Sequence, residues 1–209
     1  MNMDWNKLNI EKFLKINNEF KIAADEDEKI LRAAAVLNDI TYEEIMNLPL
    51  SKTRSMIEDT GFLYNQPKIG KIKKEYVYGD MVLVPNYKYD KMTTAQYIDY
   101  QSIASVADEH LVDFMSIILV PKGFTYNNGY DNEDVKAAIK EHMTMEEAFT
   151  LSDFFVKRYV KSMKRMMAYS EATLTTQKIL TKDKTQKRLI ATAEKAVHQL
   201  RQALDSMCG

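Results

Sequence analysis

Residues 144–170 read TMEEAFTLSDFFVKRYVKSMKRMMAYS, and this stretch decides the fold class. Thr144 followed by Glu147 has the spacing of a capping box, in which a hydroxyl takes an orphan amide of the first turn and a carboxylate reaches back. At about 100° per residue, Met145, Ala148, Phe149, Phe155, Val156, Tyr159, Val160, Met163, Met166 and Met167 then gather in an arc of about 140°, the width of a core-facing stripe. Lys157, Arg158, Lys161, Lys164 and Arg165 fall within about 120° on the opposite side, with Phe154 as the one apolar residue among them. The pattern predicts a helix ending near Ser170, roughly 39 Å long.

Downstream, residues 171–182 (EATLTTQKILTK) are threonine-rich and weakly amphipathic, which predicts a hinge. Residues 183–209 form a C-terminal helical arm whose apolar positions Leu189, Ala193, Ala196, Leu200, Ala203 and Met207 are spaced 4, 3, 4, 3, 4. That is a heptad seam about three repeats long. Its alanines bury little area, so the arm needs a partner to be stably helical. The seam is expected to be a subunit contact, docking on a neighbouring subunit or partner; the alternative is the chain's own long helix in an αα-hairpin.

Upstream, residues 75–84 (EYVYGDMVLV) are strand formers divided by Gly79-Asp80. A two-residue connection with glycine first suits a type II′ turn, so a β-hairpin is expected at about 69–90. An isolated hairpin is marginal in water and must pack on something. Residues 4–60 read as short helices, with Asp25 to Glu28 opening one, a Thr41/Glu44 capping box opening the next, and Ser51 capping a third that Gly61 stops. Thr93 and Gln96 make a further box. A helix is expected from Asp108 through Leu119, broken by Pro121, and another from about Glu133 to His142 behind a loop with an Asn-Gly turn. Six glycines and four prolines in 209 residues leave little material for a turn-rich sandwich or propeller. The expected class is α+β and mostly α-helical: short N-terminal helices, one hairpin, then a helical bundle with a long C-terminal arm. The expected division is 1–170, a hinge at 171–182, and the arm.

The composition, 45% hydrophobic and 28% charged, is that of a soluble globular chain. The net charge of −1 hides an asymmetry: residues 150–209 hold 12 basic and 5 acidic groups, and the preceding residues 17 and 25. Such polarity suits head-to-tail packing of copies, or one end meeting an anion. Cys208 is the single cysteine, which excludes an intrachain disulfide. No signal peptide is expected, and the longest apolar stretch, Phe114 to Val120, falls far short of the ~20 residues that span a bilayer; no membrane insertion is expected.

Chemistry-bearing motifs are missing. Gly70-Lys71 is followed by Ile72, so it is no P-loop, and there is no GxGxxG. His110 near Asp113 and His142 near Glu146 lack a second histidine for a metal site. Cys208 has nothing to hold a base beside it. The reading is therefore no catalytic residues, no metal and no cofactor. Lys157, Arg158, Lys161, Lys164 and Arg165 are the remaining candidates: a basic stripe can track phosphates, although acids first and bases last is also what the helix dipole favours.

The order WNKLNIEKFLKI (5–16), EKILRAAAVLNDITYEEIMNLPL (28–50), a tyrosine-rich hairpin, MTTAQYIDYQSI (92–103), DEHLVDFMSIILVP (108–121) and EEAFTLSDFFVKRY (146–159) resembles small structural or assembly proteins of tailed bacteriophages, especially those infecting Bacteroides and relatives. The resemblance spans roughly residues 5–160 and brings no catalytic residues with it. It implies a virion subunit forming a ring at the head–tail connector or tail barrel around the DNA passage. Its partners would be copies of itself, portal or other tail proteins, and DNA through nonspecific electrostatics. It would be made in the host cytoplasm and carried in the virion. The alternatives are a tail assembly chaperone and, from the basic C-terminal third alone, a nonspecific nucleic-acid-binding protein.

Overall fold

The computed structural model describes residues 3–86, 91–106, 110–180 and 184–206. Among them are nine α-helices and a three-stranded antiparallel sheet, so the expected mostly helical α+β class is the one observed. The chain divides into two units, Met1–Asp153 and Phe154–Gly209. The division therefore lies inside the long helix and not at residue 170.

In the first unit, α1 (Ile10–Ile22) begins where Asn9 accepts from the Lys12 amide at 2.9 Å. α2 (Glu26–Leu37) is capped by Asp25, and the Arg32 side chain spans from Glu28 on its own helix to Glu19 on α1 at 2.6 Å. α3 (Tyr42–Met46) shows both arms of the Thr41/Glu44 box, at 2.6 and 3.1 Å. Ser51 does not cap the next helix. α4 (Leu50–Glu58) starts directly after Pro49, whose φ of −56° is already helical, and no side chain caps it. Ala34, Ala35 and Ile45 are buried where α2, α3 and α4 meet.

The sheet contains the expected hairpin, β1 (Tyr76–Tyr78) and β2 (Met81–Pro85), paired Tyr76 to Leu83 and Tyr78 to Met81. Gly79 holds a φ of +57° at the first turn position, where an L side chain is strained. The strands are shorter than the expected 69–90, of which residues 87–90 lie outside the described set. A third strand is a correction to the sequence reading. α5 (Thr94–Ile103) and α6 (Leu111–Ile118) are followed by β3 (Leu119–Pro121), which pairs with β2 from Leu83–Pro121 to Pro85–Leu119. A continuous apolar run does not distinguish helix from buried strand, and here β2 claims Leu119 and Val120 at its end, together with Pro121. Pro121 ends an edge strand, where its missing amide costs nothing. Asp108, the expected start of α6, lies outside the described residues.

Gln96 corrects the second expected capping box. Its amide does bond Thr93 Oγ1 at 3.1 Å. Its buried side chain instead turns inward, donating to the Ile117 carbonyl at 2.7 Å and accepting from Asn86 at 3.0 Å. α7 (Asn132–His142) is capped by Asp131. α8 (Met145–Leu180) opens with the Thr144/Glu147 box intact. Two more of its orphan amides are satisfied from far away in sequence: Met145 donates to the Leu8 carbonyl at 2.7 Å and Glu146 to the Trp5 carbonyl at 3.1 Å. The Trp5 ring meets Phe13, Phe62 and Phe149 edge-on, and its Nε1 donates to the Asn65 carbonyl at 2.9 Å. This clasp holds the N-terminal segment to the start of α8.

The second unit is an antiparallel pair formed by α8 from Phe154 onward and α9 (Lys184–Ser206). Lys178 pairs with Glu194 at 2.6 Å and Glu171 with Arg201 at 3.1 Å, so moving seven residues back on one helix moves seven forward on the other. The hinge expected at 171–182 is helical through Leu180; residues 181 and 182 lie outside the described set. Two of its threonines bond back to the helix's own backbone, Thr173 Oγ1 donating to the Tyr169 carbonyl and Thr176 Oγ1 to the Ala172 carbonyl. The ion pairs to α9 add tertiary support that the residues' own propensity does not supply.

Candidate interaction surfaces

The basic stripe falls in the second unit. Lys157, Lys161 and Arg165 are exposed, whereas Arg158 and Lys164 are half-buried. The Arg158 guanidinium lies 5.4 Å from the centre of the Phe154 ring, a cation–π distance. That contact accounts for the aromatic that broke the pattern. On the apolar side Phe155, Val160 and Met167 are buried as expected, but Met166 is 51% exposed. Tyr169, which the periodicity did not single out, is 76% exposed.

On α9 the face turned to α8 carries Glu194 and Arg201, with Ile190, Ala193 and Val197 half-buried around them. Of the heptad seam, Ala193 sits at the margin of this face, Leu189 is 66% exposed and Ala196 is exposed. The side chains of Leu200 and Ala203, and all of Met207, lie outside the described residues. The apolar arc of α9 is therefore wider than the strip its hairpin partner covers. The uninterrupted 4-3 spacing marks the neighbouring strip and leaves out Ile190 and Val197.

A polar node of the first unit centres on Glu147. Glu147 accepts from Thr144, from Lys73 Nζ at 2.5 Å and from the Tyr78 hydroxyl at 3.0 Å, joining α8 to β1. Burial first, then the charge of Glu147, pushes the Tyr78 pKa up. Folding thus favours the protonated phenol. That contribution is complete below the ordinary tyrosine value of 10.0 and is lost as pH rises past it. The stability difference between wild type and Tyr78→Phe is expected to shrink by about 1.4 kcal/mol per pH unit above that value. Urea midpoints between pH 8 and 11 check it; a constant difference would rule the coupling out. His142 stacks on Tyr78 at 6.4 Å, and His110 lies 3.7 Å from Asp113. Both histidines are exposed residues at helix ends, and no group of three or more metal-ligating side chains occurs among the described residues.

Among the grooves on this unit are two of several hundred Å³. One, of about 570 Å³, lies at the end of the sheet between Asn86, Gln96, Lys122 and Phe124. The Lys122–Glu75 ion pair at 2.8 Å borders it. The other, of about 460 Å³, runs between α2, α3 and α4 and is lined almost wholly by apolar side chains. Split at the structural boundary, the first unit holds 26 acidic and 17 basic residues and the second 4 and 12. No described helix is long and apolar enough to cross a membrane. Compared with known protein families, characterised proteins and solved structures, the chain matches none of them.

Proposed function

We propose that this chain is a structural subunit of a tailed-phage virion, assembling with copies of itself into a ring at the head–tail connector or tail barrel around the passage for DNA. The observation that carries the reading is the joining, in one chain, of an acidic α+β unit to a basic helical hairpin, each with large apolar side chains left in water. Met46 and Leu50 are among the exposed groups in the first unit, as Met166, Tyr169 and Leu189 are in the second. Opposite charge on two different units favours contact between one copy's tail and another copy's body. The order of segments that resembles phage connector and tail proteins supplies the virion setting. Mass spectrometry of purified particles tests it: the chain is expected in stoichiometric amount. Presence only in infected-cell extract would assign it instead to assembly as a tail chaperone.

Exposure of Lys157, Lys161 and Arg165 along one helix face favours contact of that face with phosphate. Lys161→Glu with Arg165→Glu is expected to weaken binding to duplex DNA equally across sequences. It should also reduce the slope of log affinity against log salt by about 2–4, given that two cations become two anions. A sequence preference that survives high salt would overturn this.

A further inference from the structure

We propose that the groove between α2, α3 and α4 of one copy seats the outer face of α9 from a second copy, a head-to-tail contact between two different surfaces of the same chain. It rests on the reading above only in taking a second copy as the occupant.

The groove is helix-lined and apolar, walled by Ile30, Leu31, Met46, Leu48, Leu50 and Ile57. Leu50 is 81% and Met46 56% exposed, so its rim holds apolar area that association would remove from water. The outer face of α9 has the matching form. Leu189 and Ala196 are exposed on a helix whose inner strip already packs on α8, and a helical stripe laid in an apolar groove is a recurrent mode of recognition.

Charge selects the pairing. Residues 23–60, which build the groove, hold nine acidic and four basic groups, and Asp27 stands exposed in its wall. α9 holds five Lys and Arg against two acids, and Lys178 already engages one of those acids, Glu194; Lys195 is exposed beside Ala196. Stripe against stripe would oppose cations, and groove against groove would oppose carboxylates. Stripe in groove alone joins opposite signs. Because the two surfaces differ, each copy offers both, and the contact propagates into a closed ring or an open filament.

The test uses the full chain in sedimentation velocity over a concentration series at low and raised salt. Wild type is expected to associate beyond a dimer, less so at raised salt. Leu50→Asp and Leu189→Asp alter exposed side chains, and circular dichroism confirms that each variant keeps its fold. Each alone is expected to weaken association at least tenfold. Mixed in equal amounts, they are expected to form a one-to-one complex that grows no further, because one intact groove and one intact stripe remain. Association abolished by Leu189→Asp but untouched by Leu50→Asp would mean stripe-to-stripe pairing and overturn the inference. So would two variants that alter only monomer melting and form no mixed complex, which would place α9 in the groove of its own chain. A wild type that stays monomeric overturns the contact as well. Stoichiometric presence of the chain in particles would in that case leave the virion reading standing.

Discussion

Phe114→Ala is expected to lower the unfolding free energy by about 3–5 kcal/mol, the range for truncating a fully buried phenylalanine. Phe114 lies midway along α6, which is buried on nearly every side, and its ring stacks on that of Tyr100 from α5 at 6.0 Å; both are fully buried. The helix it anchors runs directly into β3, so a cavity here loosens the hold of the sheet on the helices as well as the α5–α6 contact. The single tryptophan makes the measurement clean. Trp5 sits in the aromatic clasp of the first unit, and its fluorescence follows the unfolding of that unit in denaturant. Phe154→Ala is the control, because Phe154 is only half-buried and belongs to the second unit. It should leave the tryptophan transition unmoved to within about 0.5 kcal/mol. A loss below about 1 kcal/mol for Phe114→Ala would mean that α6 is not the centre of this core.

Ending the chain before Lys182 is expected to have the largest effect on helix content. The cut removes the 23 residues of α9. It also strips Glu171 and Lys178 of their partners across the hairpin. The threonine-rich end of α8 then depends on its own propensity, which is poor, and a helix without a packed face is marginal at this length. The far-ultraviolet helical signal should therefore fall by about one and a half times what α9 alone accounts for. The tryptophan transition should stay in place, since the first unit keeps all its residues. Under the stripe-in-groove contact the same truncation also abolishes self-association. A loss equal to α9 alone would show that α8 needs no partner, and a fall in the tryptophan transition would show that the two units fold as one.

What could be read in advance here is what is local. The Thr41/Glu44 and Thr144/Glu147 boxes form as their spacing requires, because a cap is decided within four residues. Gly79 takes positive φ for the same reason, since the turn geometry excludes most other residues before any tertiary contact exists. The apolar face of α8 up to Met163 and the mostly helical α+β class follow from periodicity.

The tertiary structure alone decided the rest. Leu119 to Pro121 became a strand because β2 offered a ladder to an apolar run that reads equally well as helix. Gln96 left its expected box because the Ile117 carbonyl and Asn86 needed a buried partner more than an exposed amide did. Residues 171–180 became helix because α9 lies beside them, a contact across the chain that no local window contains. On α9 itself the sequence by itself determined a wide apolar arc. Which strip of that arc turns inward is decided on the facing helix: Ile190 and Val197 are half-buried against α8, with Glu194 and Arg201 paired beside them, and burial against a neighbour rests on contacts that the spacing of alanines and leucines does not contain.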